Sequence, residues 1–479
     1  MQKPFYITTT LPYVNASPHV GFAMEIIRAD VLARYKKSQG YTVFFSTGTD
    51  EHGQKIYQNA VDQGIDTQAY VDHYAEQFKG LRQALAISPD VHFIRTTDAH
   101  HIAAAQAFWK RCADNGYIYK KSYEGLYCVG CEMFLTDKDL VHGECPHHPG
   151  RPLTELKEEN YFFKFSALQE KLLALYEARP DFVIPDFRFN EIKQFVADGL
   201  NDFSISRTAE RMPWGIPVPG DDTQVMYVWF DALVNYISTL GWPDDQETFT
   251  QFWVEGTPTQ IAGKDNLRQQ SAMWQAMLIA ADLPTTHQIL INGFINSGGH
   301  KMSKSLGNVI DPYDLVREYG TEALRYYLVR HVHQYEDTDV TIDRFHEAYT
   351  AHLANGIGNL ASRLLALSEK YCQPNTSAPA PHDAWHREMD AYRFDRAYDY
   401  VWSCIQALDK RIADEQPFKL VKEDPQAGAL CITGMVTELL NITSMLEPLM
   451  PHTAERIYAA IAANTKPEIP LFARIERAA

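Results

Sequence analysis

The first fifty residues alternate between strand-like and helix-like patterns, and this alternation is the strongest constraint on the fold. Residues 5–10 are aromatic and β-branched, which is typical of a buried strand, and residues 41–45 repeat that pattern. Between them, Ser17 and Pro18 supply a helix cap and a first-turn proline, and Gly40 ends the helix. A strand, a helix and a strand at this spacing predict a right-handed parallel crossover and therefore an α/β fold.

The segments that follow these two strands are candidate parts of a ligand site. Residues 11–22 follow the first strand, and residues 47–53 follow the second. Ligands of parallel sheets bind where the strands end, and the carboxyl ends of parallel strands meet at one edge. We therefore expect both segments to lie at the same edge of the sheet.

Changes of pattern along the chain divide it into five predicted segments. Strand-like runs return at residues 225–229 and 288–291, so we interpret them as the second half of a sheet that an insertion interrupts. The continuously helical pattern near the end predicts an α-helical bundle. The predicted segments are the first half of the sheet domain at 1–114, the insertion at 115–222, the second half of the sheet domain at 223–295, a lysine-containing loop region at 296–348 and the bundle at 349–479.

The composition favours a cytosolic protein that binds any polyanion through a few local groups. The 479 residues carry a formal net charge of −17, which argues against a broad basic surface. No run approaches the ~20 continuous apolar residues of a membrane helix, and we expect no signal peptide before the first strand. Seven cysteines in such a chain argue against a disulfide framework.

Three of the cysteines lie close together in an irregular segment. Cys128 and Cys131 form one pair, and Cys145 and His148 form a second, each with two residues between its members. Three cysteines and a histidine are a common ligand set for structural zinc, so we predict a zinc module over residues 125–150. Incidental cysteines are the alternative reading. The other histidines near enough to serve as the ligand are His142 and His147.

Two further segments suit the phosphates of a nucleotide. His19 and Gly21 open the first helix, where free N–H groups attract phosphate, a histidine can donate to it, and a glycine lets a base approach the backbone. A simple capping role is the alternative for this pair. Lys301 and Lys304 follow two glycines, which favours a mobile cationic loop that clamps a triphosphate over the alternative of a solvated basic turn.

Taken in order, these segments resemble the class I aminoacyl-tRNA synthetases, and specifically the methionyl-tRNA synthetase family, over nearly the whole chain. The motifs that carry the resemblance are Thr10-Leu11-Pro12-Tyr13-Val14-Asn15, His19-Val20-Gly21-Phe22, Thr47-Gly48-Thr49-Asp50-Glu51-His52-Gly53, the cysteine–histidine segment, Tyr227-Val228-Trp229-Phe230-Asp231-Ala232, Gly263-Lys264-Asp265, Lys301-Met302-Ser303-Lys304-Ser305 and Asn359-Leu360-Ala361-Ser362-Arg363. The resemblance implies a Rossmann-like parallel-sheet catalytic domain, split by a zinc-knuckle insertion and followed by a helical anticodon-binding bundle. It also implies that residues 296–348 hold the family's KMSKS loop and contacts to the tRNA stem.

The resemblance implies a two-step reaction and a role for individual residues. Methionine attacks the α-phosphate of ATP with Mg²⁺, and the methionyl group then moves to the end of methionine tRNA, initiator and elongator. The implied catalytic residues are His19, Gly21, Lys301 and Lys304. The implied ATP-binding residues are His19, Gly21, Phe22, Gly263, Asp265, Lys301, Met302, Ser303 and Lys304. The implied methionine-binding residues are Leu11, Tyr13, Asp50, Trp229, Ala232, Tyr236, Asn266 and Gln270, with Asp50 as the carboxylate for the ammonium group. The implied anticodon-binding residues are Asn359, Arg363 and Phe418.

The chain departs from the family pattern at three places. Phe22 stands where the signature normally ends in a second histidine, and phenylalanine cannot donate to a phosphate. Asn266 stands where an apolar residue is usual, which makes the wall of the methionine pocket more polar. Gln269-Gln270 stands where a phenylalanine-histidine pair is usual, and Gln270 can replace the histidine as a donor. Phe418 replaces a tryptophan but keeps an aromatic ring that can stack on a base.

These departures keep two other functions open beside methionine activation. The polar residues Asn266 and Gln270 motivate an enzyme that adenylates a different amino acid, whereas Phe22 motivates a non-catalytic, tRNA-binding paralogue. We expect a working methionine-activating enzyme, since both lysines of the loop are present. We also expect a monomer without a membrane partner.

Overall fold

The strand–helix–strand start of the chain folds as a parallel crossover, as predicted. The first strand, Pro4–Thr9 (β1), pairs in parallel with Thr42–Thr49 (β2), and helix Val20–Ser38 (α1) lies between them in the chain. Gly40 follows the helix with a φ of 81°, a backbone conformation that glycine adopts without strain. The helix begins at Val20, three residues after the predicted cap, Ser17.

The computed structural model describes residues 3–129, 133–135, 139–146, 148–302, 307–375 and 377–476. The other strands are β3 (His92–Arg95), β4 (Ile118–Cys128), β5 (Met133–Leu135), β6 (Thr154–Phe163), β7 (Val183–Ile184), β8 (Phe203–Ser204), β9 (Ser206–Thr208), β10 (Pro217–Val218), β11 (Asp221–Met226), β12 (Pro258–Gly263), β13 (Gln288–Asn292), β14 (Ile295–Ser297), β15 (His300–Lys301) and β16 (Thr338–Asp339). The other helices are α2 (Gln54–Asp62), α3 (Thr67–Ala84), α4 (Ala99–Asp114), α5 (Gln169–Ala178), α6 (Asp186–Ala197), α7 (Val228–Ala232), α8 (Asn235–Ser238), α9 (Gln246–Phe249), α10 (Trp274–Ala280), α11 (Pro312–Tyr319), α12 (Thr321–Arg330), α13 (Ile342–Ala348), α14 (Asn359–Tyr371), α15 (Asp383–Asp390), α16 (Phe394–Glu415), α17 (Pro417–Glu423), α18 (Pro425–Leu446) and α19 (Pro451–Ala463).

The chain divides into two structural units, and each unit is assembled from separate stretches of sequence. The first unit comprises Met1–Pro18, Lys36–Gly80 and Pro89–Asn292. The second unit comprises His19–Tyr35, Leu81–Ser88 and Gly293–Ala479. The five predicted segments stay a prediction.

A parallel sheet forms the centre of the first unit, with the strand order β3-β2-β1-β12-β13-β7. The predicted strand at residues 288–291 is β13, but the prediction that residues 225–229 belong to this sheet is wrong. Val225 and Met226 lie in β11, which belongs to a separate antiparallel sheet. Helix α7 follows, beginning at Val228. A short apolar run carries no period that distinguishes a strand from a buried helix. The strand next to β1 is instead β12, whose polar Gln260 is buried.

Aromatic side chains fill the space beside the parallel sheet. Trp274 lies at the centre of this cluster: Phe108 stacks on it at 5.6 Å between ring centroids, and Tyr236 and Trp253 approach it at 5.8 and 6.2 Å. Offset and edge contacts of this kind add stabilisation beyond the burial of apolar area. The cluster fixes Tyr236, one of the predicted pocket residues.

The predicted insertion contains a second, antiparallel sheet in the first unit, with the order β5-β4-β6-β8. At its end lies a small core in which the buried residues Cys128, Leu135 and Cys145 pack with Leu140 and Leu153. A core of this size does not hold a module together by burial alone, which agrees with the prediction of a metal-held segment. The predicted insertion also supplies β7, an edge strand of the parallel sheet.

The second unit is mainly helical, as the sequence predicts. Buried charges connect its first helix to α12: Asp30 lies 2.8 Å from Arg325, and Arg28 donates to the carbonyls of Leu328 and Val332 at 3.2 and 2.7 Å. A proline- and alanine-rich stretch at residues 374–381 separates α14 from α15. Because a buried charge is tolerated only when it is paired, these contacts hold α1 in one place within the unit.

Among the described residues, α18 is the helix that is long and apolar enough to cross a membrane by length and composition. Its most apolar window has a mean hydropathy of 1.5, and half of that window is buried. The helix packs against α14, α16 and α17, which is how the core helix of a soluble bundle behaves.

Candidate active site

The loops after β1 and β2 are joined by backbone hydrogen bonds in the first unit. Val14 donates its N–H to the carbonyl of Asp50 at 3.1 Å, and Asp50 donates to the carbonyl of Pro12 at 2.9 Å. A parallel bridge between Tyr13 and Asp50 results. Asp50 is buried, and Tyr13 and Leu11 are half-buried. The sheet edge thus brings together three residues that the sequence assigned to one substrate.

Glu51, beside Asp50, anchors this edge and had no role in the sequence prediction. The side chain is fully buried and accepts two hydrogen bonds from Arg95, at 2.7 and 2.8 Å. Its carbonyl accepts from Trp214 Nε1 at 2.6 Å. A bidentate, charge-assisted pair fixes orientation as well as position, so this glutamate holds the neighbouring Asp50 in place.

A buried carboxylate between two histidines supports the same edge. Asp231 Oδ2 lies 3.2 Å from His52 Nδ1, and its Oδ1 lies 3.9 Å from His101 Nε2. Burial by itself raises the pKa of Asp231, but the two imidazoles lower that pKa below its ordinary value. His101 is held in turn by Ser238 at 2.9 Å. The sequence prediction quoted Asp231 within a motif without giving it a role.

The predicted pocket residues on α7, on α8 and in the turn before α10 are largely buried. Tyr236 and Gln270 are each 2% exposed, and Gln270 Nε2 donates to the Tyr236 hydroxyl oxygen at 2.7 Å. Ala232 is buried, and Trp229 is half-buried against the aromatic cluster. The tyrosine hydroxyl oxygen is the acceptor in this contact, so the amide of Gln270 fixes the position of that hydroxyl.

The other predicted residues of this stretch lie closer to solvent. Gly263 ends β12, and Asp265 and Asn266 lie in a single 3₁₀ turn directly after it. Asp265 is exposed and accepts a hydrogen bond from Asn266 Nδ2 at 3.3 Å. Both lie at the carboxyl end of a central strand, where an α/β sheet binds ligands.

The histidine–glycine pair opens α1 in the second unit. The N–H of Gly21 donates to His19 Nδ1 at 3.0 Å, which puts the proton of the neutral imidazole on Nε2, the form that donates to a phosphate oxygen. A Cβ at Gly21 would lie 2.8 Å from His19 Cε1, so the glycine makes room for the ring. His19 is exposed, whereas Phe22 is buried. This geometry is compatible with both roles considered for His19, capping the helix and donating to a phosphate.

The lysine loop begins as a hairpin in the same unit. β14 and β15 pair in antiparallel fashion, and Gly298 and Gly299 form the turn with φ values of 64° and 76°. Lys301 lies in β15, and Met302 is half-buried, with its Cε 4.0 Å from the Cβ position of Gly21. Ser303 and Lys304 lie outside the described residues. Two left-handed glycines match the backbone of a two-residue hairpin turn.

Three of the four predicted metal ligands come together in the structure. His148 Nδ1 lies 3.7 Å from Cys128 Sγ and 3.8 Å from Cys145 Sγ, and both cysteines are buried. Zn–S and Zn–N bonds of ordinary length meeting at a tetrahedral angle separate such atoms by about 3.6 Å. The ligand atoms of these three residues therefore fit one zinc ion. Cys131 lies outside the described residues.

The predicted anticodon-binding residues lie on exposed positions of the bundle. Asn359 begins α14, and Arg363 follows one turn later on the same face. Arg363 Nη1 lies 3.2 Å from Asp409 Oδ1, an ion pair between two exposed side chains. Phe418, on α17, is 41% exposed.

The chain matches a family of known proteins over most of its length. The family described as tRNA synthetases class I (M) matches residues 5–151 and 150–365. These residues include the parallel sheet, its ligand-binding edge, the histidine–glycine pair and the cysteine–histidine cluster. Fold and site together define a class I aminoacyl-tRNA synthetase.

The relatives within that class are methionine enzymes. Methionine--tRNA ligase from Thermotoga maritima is 40% identical over 97% of this chain and 76% of its own, and that from Synechocystis sp. is 40% identical over 95% and 88%. The solved structure of Mycobacterium tuberculosis methionyl-tRNA synthetase with methionyl-adenylate superposes with a TM-score of 0.90 and 35% identity, covering 99% of this chain and 100% of that one. The chain belongs to the methionine--tRNA ligase family.

Proposed function

We propose that this chain activates methionine with Mg-ATP and transfers the methionyl group to methionine tRNA, initiator and elongator. The observation that carries the proposal is the pair formed by Tyr236 and Gln270, buried in a chain that is 40% identical to a methionine--tRNA ligase. The pair places an aromatic ring, a hydroxyl and an amide next to Trp274 of the aromatic cluster. A thioether sulfur is a weak acceptor that packs well on aromatic rings, so this environment suits the methionine side chain.

The first unit binds the amino acid in this proposal. Asp50 supplies the negative charge for the methionine ammonium, and its position is fixed by backbone bonds and by Glu51. Leu11, Tyr13, Trp229, Ala232 and Asn266 complete the walls of the pocket. A carboxylate held before the ligand arrives loses little entropy on binding, which favours a tight ammonium contact.

The second unit supplies the groups that act on the phosphates of ATP. His19, through Nε2, donates to a phosphate oxygen, and the N–H groups that open α1 attract the same charge. Lys301 and Lys304 stabilise the charge on the departing pyrophosphate. We also assign Gly21, Phe22, Met302, Ser303, Gly263 and Asp265 to ATP binding. Mg²⁺, when bound, would neutralise charge on the phosphate oxygens. The residues of the chain contribute by positioning the reactants and stabilising charge rather than by covalent catalysis.

A structural zinc ion completes the insertion in this proposal. Cys128, Cys145 and His148 provide three ligands of the correct type and spacing, and Cys131 is the proposed fourth. A closed site of four protein ligands leaves no position for catalysis, so the ion acts only on folding. One equivalent of zinc in the purified protein and its loss in a Cys145→Ser variant test this part.

The bundle binds the anticodon through Phe418, Arg363 and Asn359. An exposed aromatic ring offers a platform for a base, and the arginine adds charge and hydrogen bonds. Positive groups act locally here, because the whole chain carries a net charge of −17. We propose that the enzyme acts as a monomer in the cytoplasm, where charged tRNA is used.

Amino-acid-dependent exchange of pyrophosphate into ATP tests the first step directly. We expect methionine to support exchange and the other nineteen amino acids to support it at least about 100-fold less. A different preferred amino acid would contradict the methionine assignment. Binding of methionine tRNA without any exchange at saturating ATP would contradict catalysis altogether. Transfer to tRNA is then followed with radiolabelled methionine.

A further inference from the structure

A short π-helical turn carries Gln270 in the first unit. In the segment Gln269–Met273 the backbone hydrogen bond closes over five residues, with the N–H of Trp274 donating to the carbonyl of Gln269. Such turns are rare and often mark functional positions, since they shift a side chain away from its regular place on a helix. Here the shift sets where the amide of Gln270 meets Tyr236.

Two side chains from outside the turn hold its backbone. The Tyr176 hydroxyl donates to the carbonyl of Ser271 at 2.6 Å, and Gln275 Nε2 donates to the carbonyl of Gln270 at 2.8 Å. All four residues are buried. A buried carbonyl without a partner costs free energy, so the two donors stabilise this backbone conformation against a regular helix.

Tyr176 belongs to α5, in the predicted insertion, and nothing in its sequence context points to the substrate. It is 2% exposed, and its ring packs edge-on against Phe189 at 5.5 Å between centroids and beside Phe182 at 6.0 Å. The ring therefore has a packing role that phenylalanine would keep. The hydroxyl connects α5 to the turn through this hydrogen bond.

Gln275 is itself part of a buried polar chain. It donates to Thr286 Oγ1 at 3.0 Å and accepts from the Thr286 N–H at 3.0 Å, while Thr286 donates to Gln260 Oε1 on β12 at 3.0 Å. The turn is thereby fixed to a central strand as well as to α5. Buried polar networks of this kind define one arrangement of a core.

From this geometry we propose that Tyr176 is a positioning residue of the amino-acid pocket, acting through the turn that presents Gln270 to Tyr236. The inference rests on the proposed methionine activation and adds a residue outside the pocket motifs. The hydroxyl of Tyr176 fixes the Ser271 carbonyl, the turn fixes the Gln270 amide, and that amide, bonded to the Tyr236 hydroxyl, lines the proposed methionine pocket.

The variant Tyr176→Phe tests the proposal in methionine-dependent pyrophosphate exchange. We expect the KM for methionine to rise about three- to tenfold while the KM for ATP stays the same and kcat changes less than about twofold. Tyr349→Phe is the matched control, since the Tyr349 hydroxyl also donates to a backbone carbonyl at 2.6 Å, that of Ala473 in the second unit. This control is expected to leave exchange unchanged.

A double-mutant cycle shows whether Tyr176 acts through Gln270. In a Gln270→Ala background, Tyr176→Phe should have no further effect on the KM for methionine, because the amide that it positions is gone. An unchanged KM in the single variant, an equal rise in both KM values, or a full effect in the Gln270→Ala background would each overturn the proposal.

A second variant tests the proposal if Tyr176→Phe does not fold. Gln275→Met removes the other donor to the turn with little change in volume, and we expect the same selective rise in the KM for methionine. The failure of the underlying function has a different signature, because the unaltered chain would then show no methionine-dependent exchange. If the unaltered chain is active and a folded variant shows an unchanged KM for methionine, only the role of Tyr176 is contradicted.

Discussion

The proposed amino-acid pocket and the proposed anticodon-binding surface of the bundle each combine an aromatic ring with a polar side chain, but in opposite surroundings. In the pocket, Tyr236 and Gln270 are 2% exposed and hydrogen-bonded to each other. On the bundle, Phe418 is 41% exposed, and Arg363 makes a single ion pair at the surface. A small ligand is distinguished by hydrogen-bonding groups that are shielded from water and held in position before it binds. An RNA is bound by exposed aromatic rings and charged side chains. Substitutions should therefore act strongly and selectively in the pocket and weakly on the bundle.

The largest effect is expected from Asp50→Asn. The substitution keeps the size of the side chain and the backbone bridge to Tyr13 but removes the charge that pairs with the ammonium group. Loss of a charge-assisted hydrogen bond in a buried site predicts a decrease of about 100-fold in kcat/KM for methionine. Pyrophosphate exchange measures it, and a decrease of less than about threefold would show that Asp50 does not bind the ammonium.

Phe418→Ala tests the exposed side of the comparison. Removing a stacking platform should weaken binding of methionine tRNA by about 2 kcal/mol, roughly 30-fold, without changing pyrophosphate exchange. Phe418→Trp serves as the control, because it keeps an aromatic face and should retain affinity. If Phe418→Leu binds tRNA as well as the original chain, the ring acts through burial of apolar area rather than through stacking.

The second unit also contains a half-buried titratable group, His331, which lies before the bundle in the sequence. Burial, helped by the charges of Arg330 and His352, lowers the pKa of His331 to about 4. In the unfolded chain the same group titrates near ~6.5. Between these values the unfolded state binds a proton that the folded state does not, so stability falls as the pH decreases from about 6.5 toward 4.

The expected loss is about 1 kcal/mol between pH 7 and pH 5, after allowance for the partial exposure of the ring. Urea unfolding of the original chain and of His331→Gln at the two pH values measures it. Glutamine can still bond the Tyr326 hydroxyl, which lies 2.7 Å from His331 Nε2, but does not titrate. Equal pH dependence in both proteins would mean that other groups dominate the acid response.

The sequence predicted the motifs well but not the residues that hold those motifs in position. The pocket and the bundle surface show why. The parallel crossover and the approach of Cys128, Cys145 and His148 followed from local pattern and spacing. Glu51 and Tyr176 act through partners 44 and 95 residues away, and no spacing rule reaches that far. On the bundle, the ion-pair partner of Arg363 is Asp409, 46 residues away, and the sequence did not predict that contact either.

The error at residues 225–229 has the same origin. The run Val225-Met226-Tyr227-Val228-Trp229 is apolar at every position, and such a run fits a buried strand or a buried helix equally well. The true neighbour of β1 is β12, which contains the polar residue Gln260 and therefore does not look like a buried strand in the sequence. The residue that satisfies this glutamine, Thr286, lies in another part of the sequence. Buried polar pairs are thus the feature that single-sequence patterns miss in both cases.

The smallest effect is expected from Asp409→Asn, which breaks the ion pair of Arg363 on the bundle surface. Both side chains are about half exposed, at 45% and 53%, so solvent screens their attraction and the pair is worth less than about 0.5 kcal/mol. We expect unchanged stability and a rise of at most about threefold in tRNA affinity, since Arg363 then pairs only with RNA. Arg363→Gln should lower the affinity and reduce the slope of log affinity against log salt concentration by about one. A loss of more than about 1 kcal/mol of stability in Asp409→Asn would show that this pair is structural, and the contrast between a rigid pocket and an adaptable RNA surface would then fail at its clearest point.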